Sequence, residues 1–136
     1  MRNVFRVGLA TFLTDQATKA WILHGIDLDR IGAVDVWPPY LNLRMVWNYG
    51  INFGLFAGDG TATRWILIVM ALAISAVVLW WVRREQGGPW QEIAAGLLVG
   101  GALGNAVDRL FHGAVADFLN MSCCGIDNPY AFNIAD

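Results

Sequence analysis

Apolar residues run through this sequence in three long blocks, and the polar positions around them mark where the chain meets water. The first block, about residues 4–23, is long enough at 1.5 Å per residue to cross a hydrocarbon core of about 30 Å. Asp15, Gln16, Thr18 and Lys19 interrupt its second half. The second, Trp65 to Val82 (WILIVMALAISAVVLWWV), is uncharged throughout, with Arg64 before it and Arg83 and Arg84 after it. The third, about 91–110, starts beyond the break at Gln86-Gly87-Gly88-Pro89. It is rich in Ala and Gly, and Gly96 and Gly100 have the small-xxx-small spacing of closely packed helices. Between the first two blocks, Pro38-Pro39 and several glycines exclude a continuous helix. There Tyr40 to Phe56 alternates in part between apolar and polar residues, which predicts a small β element, about 36–58, lying on the membrane. The pattern as a whole predicts an all-α membrane protein of one domain, 1–136: an antiparallel transmembrane helix bundle with a small extramembrane β element, followed by a mixed segment, 111–136.

Composition agrees with that pattern. The chain has 136 residues, of which 57% are hydrophobic and only 15% charged, too apolar for an ordinary soluble domain of this size. Several of its seven Trp stand at the ends of apolar runs, as in an interfacial aromatic belt. The net charge of -2 comes with no basic block, which disfavours a nucleic-acid partner. Arg2 and Arg6, and then Arg83 and Arg84, assign the N-terminus and the second connection to the cytoplasmic side. The first connection and everything beyond Leu110 then share the outer side. The stretch Met1 to Leu13 lacks a small-residue cleavage site after it and is read as a retained helix. Cys123 and Cys124 are adjacent, which strains any disulfide between them, and neither they nor His24 and His112 have metal-ligand spacing. Neither a metal nor another cofactor is expected.

Ionisable residues in apolar sequence are costly unless paired or wetted, so their clusters are candidate sites. Asp15 and Lys19 are four apart and share a helical face, which suits a structural ion pair near the interface with Lys19 snorkelling outward, or a contact that orders a site. Asn48 lies where an Asn-Tyr-Gly turn can present an amide, although Asn and Gly are also plain turn residues. Asn105, Asp108 and Arg109 are spaced to form one hydrogen-bonded cluster at the end of the third block, and the guanidinium can hold a carboxylate or a peptide carbonyl. Asp117, Asn133 and Asp136 follow in the mixed segment. Two carboxylates sharing one proton can hydrolyse a peptide bond without metal or covalent intermediate: the ionised one takes a proton from water and the neutral one donates to the carbonyl oxygen. No Ser, Cys or Lys has an evident base partner for nucleophilic catalysis. The competing reading is a non-enzymatic carrier or proton-relay subunit, with Asp15, Asp108 and Asp117 along a path through the bilayer.

Five motifs decide between these readings. DQATK (Asp15 to Lys19), NYGINFG (Asn48 to Gly54), GNAVDR (Gly104 to Arg109), VADF (Val115 to Phe118) and FNIAD (Phe132 to Asp136) occur in an order that resembles the lipoprotein signal peptidase (signal peptidase II) family over nearly the whole chain. The resemblance implies an aspartyl endopeptidase of the bacterial inner membrane. Its substrate is a diacylglyceryl-modified prolipoprotein, cut before the lipidated cysteine. Asp117 and Asp136 fall on the family's catalytic pair. Asn48, Asn105, Arg109 and Asn133 fall on residues lining the site, Asp15 and Lys19 on structural or substrate-positioning residues, and Asp108 in a supporting place. A monomer contacting membrane lipids is expected. The sequence departs from the family at Asn52, where a small residue is usual. It also stops at Asp136, before the family's fourth transmembrane helix, so a fragment is expected, with Asp136 lacking an anchor.

Overall fold

A computed structural model describes residues 1–50, 60–85 and 87–136. The order is α1 (Arg2–Ala20), a π-helical turn (Trp21–Gly25), α2 (Leu28–Ile31), β1 (Ala33–Trp37), β2 (Leu41–Asn48), α3 (Gly60–Glu85), α4 (Pro89–His112) and β3 (Val115–Asn120). The fold is mostly helical, with one three-stranded sheet in the order β1-β2-β3.

Among the described helices, α3 and α4 are long and apolar enough to cross a membrane. In α3 the side chains of Val69, Val77 and Trp80 are exposed while Ser75 is buried, an arrangement suited to lipid outside and a bundle inside. α1 is inverted in the same way: Phe5, Leu9 and Leu13 are exposed, and Asp15 and Lys19 are buried. Its polar residues thus face a neighbour, and that neighbour is α4. Pro89 opens α4 at its first turn, where a missing N–H costs nothing. Gly113, in the left-handed region at φ 83°, closes it by donating its N–H to the Arg109 carbonyl. α1 and α4 run side by side in the same direction, with Val4 and Gly8 against Gly96 and Asp15 against Gly104. A Cβ on Gly96 would lie 2.9 Å from the Val4 carbonyl oxygen, so this contact needs glycine. α3 runs opposite to α4, since Arg64 near its start donates to the Leu110 carbonyl near the other's end at 2.6 Å.

The sheet differs from expectation at both ends. Its first two strands form an antiparallel pair, with Val34 opposite Leu43; β1 starts ahead of the expected 36–58, at Ala33, while β2 lies within it. Residues 51–59, including Asn52, are outside the described residues. The third strand comes from the 111–136 segment: β3 pairs antiparallel with β2, placing Asp117 opposite Val46 and Leu119 opposite Leu43. No alternation announced it because Val115, Ala116, Asp117, Phe118 and Asn120 are all buried, so both strand faces are covered. Ile22, Leu28, Leu43 and Phe118 make the small core that joins the sheet to the end of α1. The sheet thereby sits beside the polar ends of α1 and α4.

Candidate active site

Asp117 is buried in the middle of β3. Asn48, at the end of β2, pairs with Val115 and is therefore a diagonal neighbour of Asp117. It donates Nδ2 to Asp117 Oδ2 at 3.1 Å, while its Oδ1 accepts the Gly50 N–H at 3.1 Å, which fixes the amide's direction. Beyond β3 the chain turns away and comes back. Phe132 exchanges backbone hydrogen bonds with Leu119 at 2.8 and 3.0 Å, a one-residue bridge that sets Asn133 beside Asp117. Asn133 Nδ2 donates to Asp117 Oδ1 at 2.6 Å, and its Oδ1 accepts the Ala135 N–H at 2.7 Å.

Asp136 is tied into the same network. Its carboxylate accepts the Asn133 N–H at 3.1 Å and Asn105 Nδ2 at 3.2 Å. The expectation that it lacks an anchor is therefore corrected: its side chain is held from α4 and from its own segment. Asn105 Oδ1 accepts from Asn133 Nδ2 at 3.3 Å and from Lys19 Nζ at 3.1 Å. Gly101 makes the close approach possible, because any Cβ there would overlap the Ala135 carbonyl oxygen.

Lys19 does not snorkel outward. It is 3% exposed and bonds Asp15 Oδ2 at 2.8 Å and Asp108 Oδ2 at 2.7 Å. Two buried carboxylates attract the ammonium more strongly than the surface does. Asp108, in turn, does not join Asn105 and Arg109 in a cluster. It points to α1, accepting Gln16 Nε2 at 3.1 Å as well as Lys19, and it also takes the Ala116 N–H at 3.3 Å, which ties β3 to α4. Among the described residues Arg109 hydrogen-bonds only within its own helix, donating Nη1 to the Asn105 carbonyl at 3.4 Å, and its buried Nε meets no acceptor there. Asp117, Asp108 and Asp136 are its electrostatic neighbours.

Burial pushes the Asp117 carboxyl above its ordinary value, and the nearby charge of Asp136 adds to this. The amides of Asn133 and Asn48 and the Lys19 cation oppose that rise. Cys123 and Cys124 are exposed, and contact with Cys124 pushes the Cys123 thiol up, the wrong direction for a nucleophile. His112 lies beside Trp47, with ring centroids 5.5 Å apart and the planes tilted by 37°. Among the described residues no three His, Cys, Asp or Glu side chains gather as a metal site.

Two contributors escaped the sequence reading. Gln16 bridges Asp15, Asp108 and the Gly104 carbonyl, and its signal was simply a second polar residue beside Asp15 in an apolar helix. Asn120 holds the returning loop by donating to the Asn128 and Tyr130 carbonyls at 2.7 and 2.9 Å, for which the sequence carried no signal.

Amides of Asn48, Asn133 and Asn105 thus brace two carboxylates, with buried Lys19 and half-buried Arg109 nearby. A family model for signal peptidase (SPase) II matches residues 7–136. The chain belongs to the signal peptidase II family. A lipoprotein signal peptidase of Rhodopseudomonas palustris is 42% identical, with the alignment covering 95% of this chain and 79% of that protein. One from Methylorubrum extorquens is 41% identical, covering 98% and 79%. Two solved structures described as bacterial membrane enzymes share the fold at 27% sequence identity. Their TM-scores are 0.81 and 0.83, covering 99% of this chain and 79% and 83% of theirs. The signal peptidase II fold thus accounts for both the apolar helices and the small sheet.

Proposed function

We propose that this protein removes the signal peptide from diacylglyceryl-modified prolipoproteins, cutting before the lipidated cysteine, with Asp117 and Asp136 as the catalytic pair. The observation that carries the reading is the Asn133–Asn105 bridge: Asn133 donates to Asp117 and Asn105 donates to Asp136, while the two amides bond each other. Family membership supplies the substrate class. One carboxylate, ionised, takes a proton from water as the water attacks the peptide carbonyl; the other, protonated, donates to the carbonyl oxygen. This division of labour needs one carboxylate ionised and the other protonated, so the pair works while it holds one proton between them. Asn48 and Asn133 hold Asp117 by its two oxygens and so aim its remaining lone pairs. Arg109, with a buried Nε–H to give, orients the substrate backbone.

In this reading α1, α3 and α4 span the bacterial inner membrane with the N-terminus cytoplasmic. The sheet and the pair lie on the outer side, and the enzyme works as a monomer against lipid. The alternative of a proton path through the bilayer is disfavoured because Asp15 and Asp108 are occupied by Lys19 at the same end of the helices as the pair. The decisive experiment supplies a diacylglyceryl-modified prolipoprotein to the wild type, Asp117→Asn and Asp136→Asn. The wild type cleaves and neither variant does; full cleavage by either correctly inserted variant removes that residue from the mechanism.

A further inference from the structure

We infer that Lys19, on α1 and outside the reacting groups, is a positioning residue for the carboxylate pair, acting through the Asn105 side-chain amide. The inference rests on the catalytic reading of Asp117 and Asp136 given above.

An asparagine amide can be turned over by half a rotation, which exchanges donor and acceptor, and only its neighbours choose. At Asn105 two donors choose together. Lys19 Nζ reaches Oδ1 at 3.1 Å and Asn133 Nδ2 reaches it at 3.3 Å. Asn133 cannot turn to offer an acceptor instead, because its own Oδ1 is engaged by the Ala135 N–H at 2.7 Å. With Oδ1 held on that side, Nδ2 has one direction left, toward Asp136 Oδ1 at 3.2 Å. The ammonium makes this a charge-assisted bond, the stronger kind, and polarises the amide so that its N–H is a better donor to Asp136.

Lys19 is itself held firmly. Its three N–H groups meet Asp15, Asp108 and Asn105, so it has no freedom to point elsewhere. Among the described residues, the charged groups around the pair are Lys19 and Asp15 from α1 and Asp108 and Arg109 from α4, while Asn48 on β2 and Asn133 bring neutral amides. Lys19 and Asp136 act on Asp117 in opposite senses, and Arg109 also faces it. Asp15 lies beyond Lys19 and is not among them. The lysine therefore does two things at once: it sets which way a relay amide faces, and its field keeps the pair from holding its proton too tightly. The ion pair that looks purely structural from its spacing is wired to the reacting groups.

The test uses the full chain in membranes or detergent with a diacylglyceryl-modified prolipoprotein, recording kcat and KM across pH. Lys19→Met alone strands two buried carboxylates, so it is accompanied by Lys19→Met/Asp15→Asn, in which Asp108 keeps its bonds from Gln16 and Ala116. Asp15→Asn is the control. Loss of the cation lets the pair hold protons to higher pH, so both limbs of the kcat profile move to the alkaline side in the lysine variants. In addition kcat falls by roughly tenfold or more with KM nearly unchanged, the size of one charge-assisted hydrogen bond. The Asp15→Asn control keeps the wild-type limbs. A purely structural role lowers the amount of active enzyme without moving the limbs, and that result overturns the inference. So does failure of both lysine variants to fold, which reduces Lys19 to packing. Absence of cleavage by the wild type sinks the catalytic reading itself and this inference with it.

Discussion

Replacing Gly101 by alanine tests how closely the terminal segment must lie on α4. The added Cβ would fall well inside contact distance of the Ala135 carbonyl oxygen, with the carbonyl carbon at 3.2 Å and Cα at 3.3 Å. The obstruction is backbone on both sides, so no side chain can swing away. Overpacking of this kind costs about 1–3 kcal/mol when the surroundings resist. Here the less anchored partner, the segment carrying Asn133 and Asp136, moves away instead. A shift of about 1 Å breaks the Asn105–Asp136 bond, already 3.2 Å long, and displacements of that order cost roughly a hundredfold in rate. The expected result is a kcat lower by about a hundredfold, or about 2.7 kcal/mol, with the melting temperature close to that of the wild type. Gly100→Ala is the contrast: its Cβ would meet the Gly8 carbonyl and Thr11 on α1, pressing two helices apart and lowering the melting temperature instead. A Gly101→Ala enzyme with kcat within about twofold of the wild type would show that the segment's position is not set by this contact.

Other substitutions probe separate parts of the argument. Because burial raises Asp117, the proposed mechanism predicts that kcat holds above the ordinary carboxylate range and declines on the alkaline side only as the proton of the pair leaves. Asn133→Ala removes a donor to the ionised carboxylate, so a pH–rate profile should show the limbs moved further alkaline, with kcat lower by roughly tenfold to a hundredfold; an acid shift contradicts the assigned bond. Cys123→Ser/Cys124→Ser should leave cleavage unchanged, since both thiols are exposed and neither belongs to the network; loss of turnover would bring thiol chemistry back. Phe118→Ala should destabilise the protein by about 3–5 kcal/mol in thermal or denaturant unfolding, because this side chain is 1% exposed at the centre of the sheet's core.

Hydropathy made the helices legible because it reports which residues avoid water, and α3 and α4 follow the expected blocks within a few residues at each end. The candidate site was legible in its parts through five short motifs, each of which supplies a member of the network. What the sequence hid was the wiring. Lys19 turns inward rather than to the surface because its preference depends on Asp108, eighty-nine positions away and brought near only by the packing of α1 on α4. Asp108 leaves Asn105 and Arg109 for the same reason: spacing along one helix says which residues share a face, not which neighbour that face meets. β3 was invisible because a strand buried on both faces has no period, and its partner strand ends at Asn48, far upstream. Gln16 and Asn120 act on backbone carbonyls and on groups remote in sequence, and no local pattern marks such a role.

The bridge between Leu119 and Phe132 separates two design problems. Asp117 upstream of it is placed by strand register and Asn133 downstream by the bridge itself, and, among the described residues, 121–131 contribute no side chain to the hydrogen bonds of the pair. That stretch, with Met121, Ile126 and Tyr130 exposed, can change in length and composition while the bridge preserves the placement of Asn133 beside Asp117. Evolution or an engineer can alter what this edge of the enzyme touches without retuning the chemistry beside it.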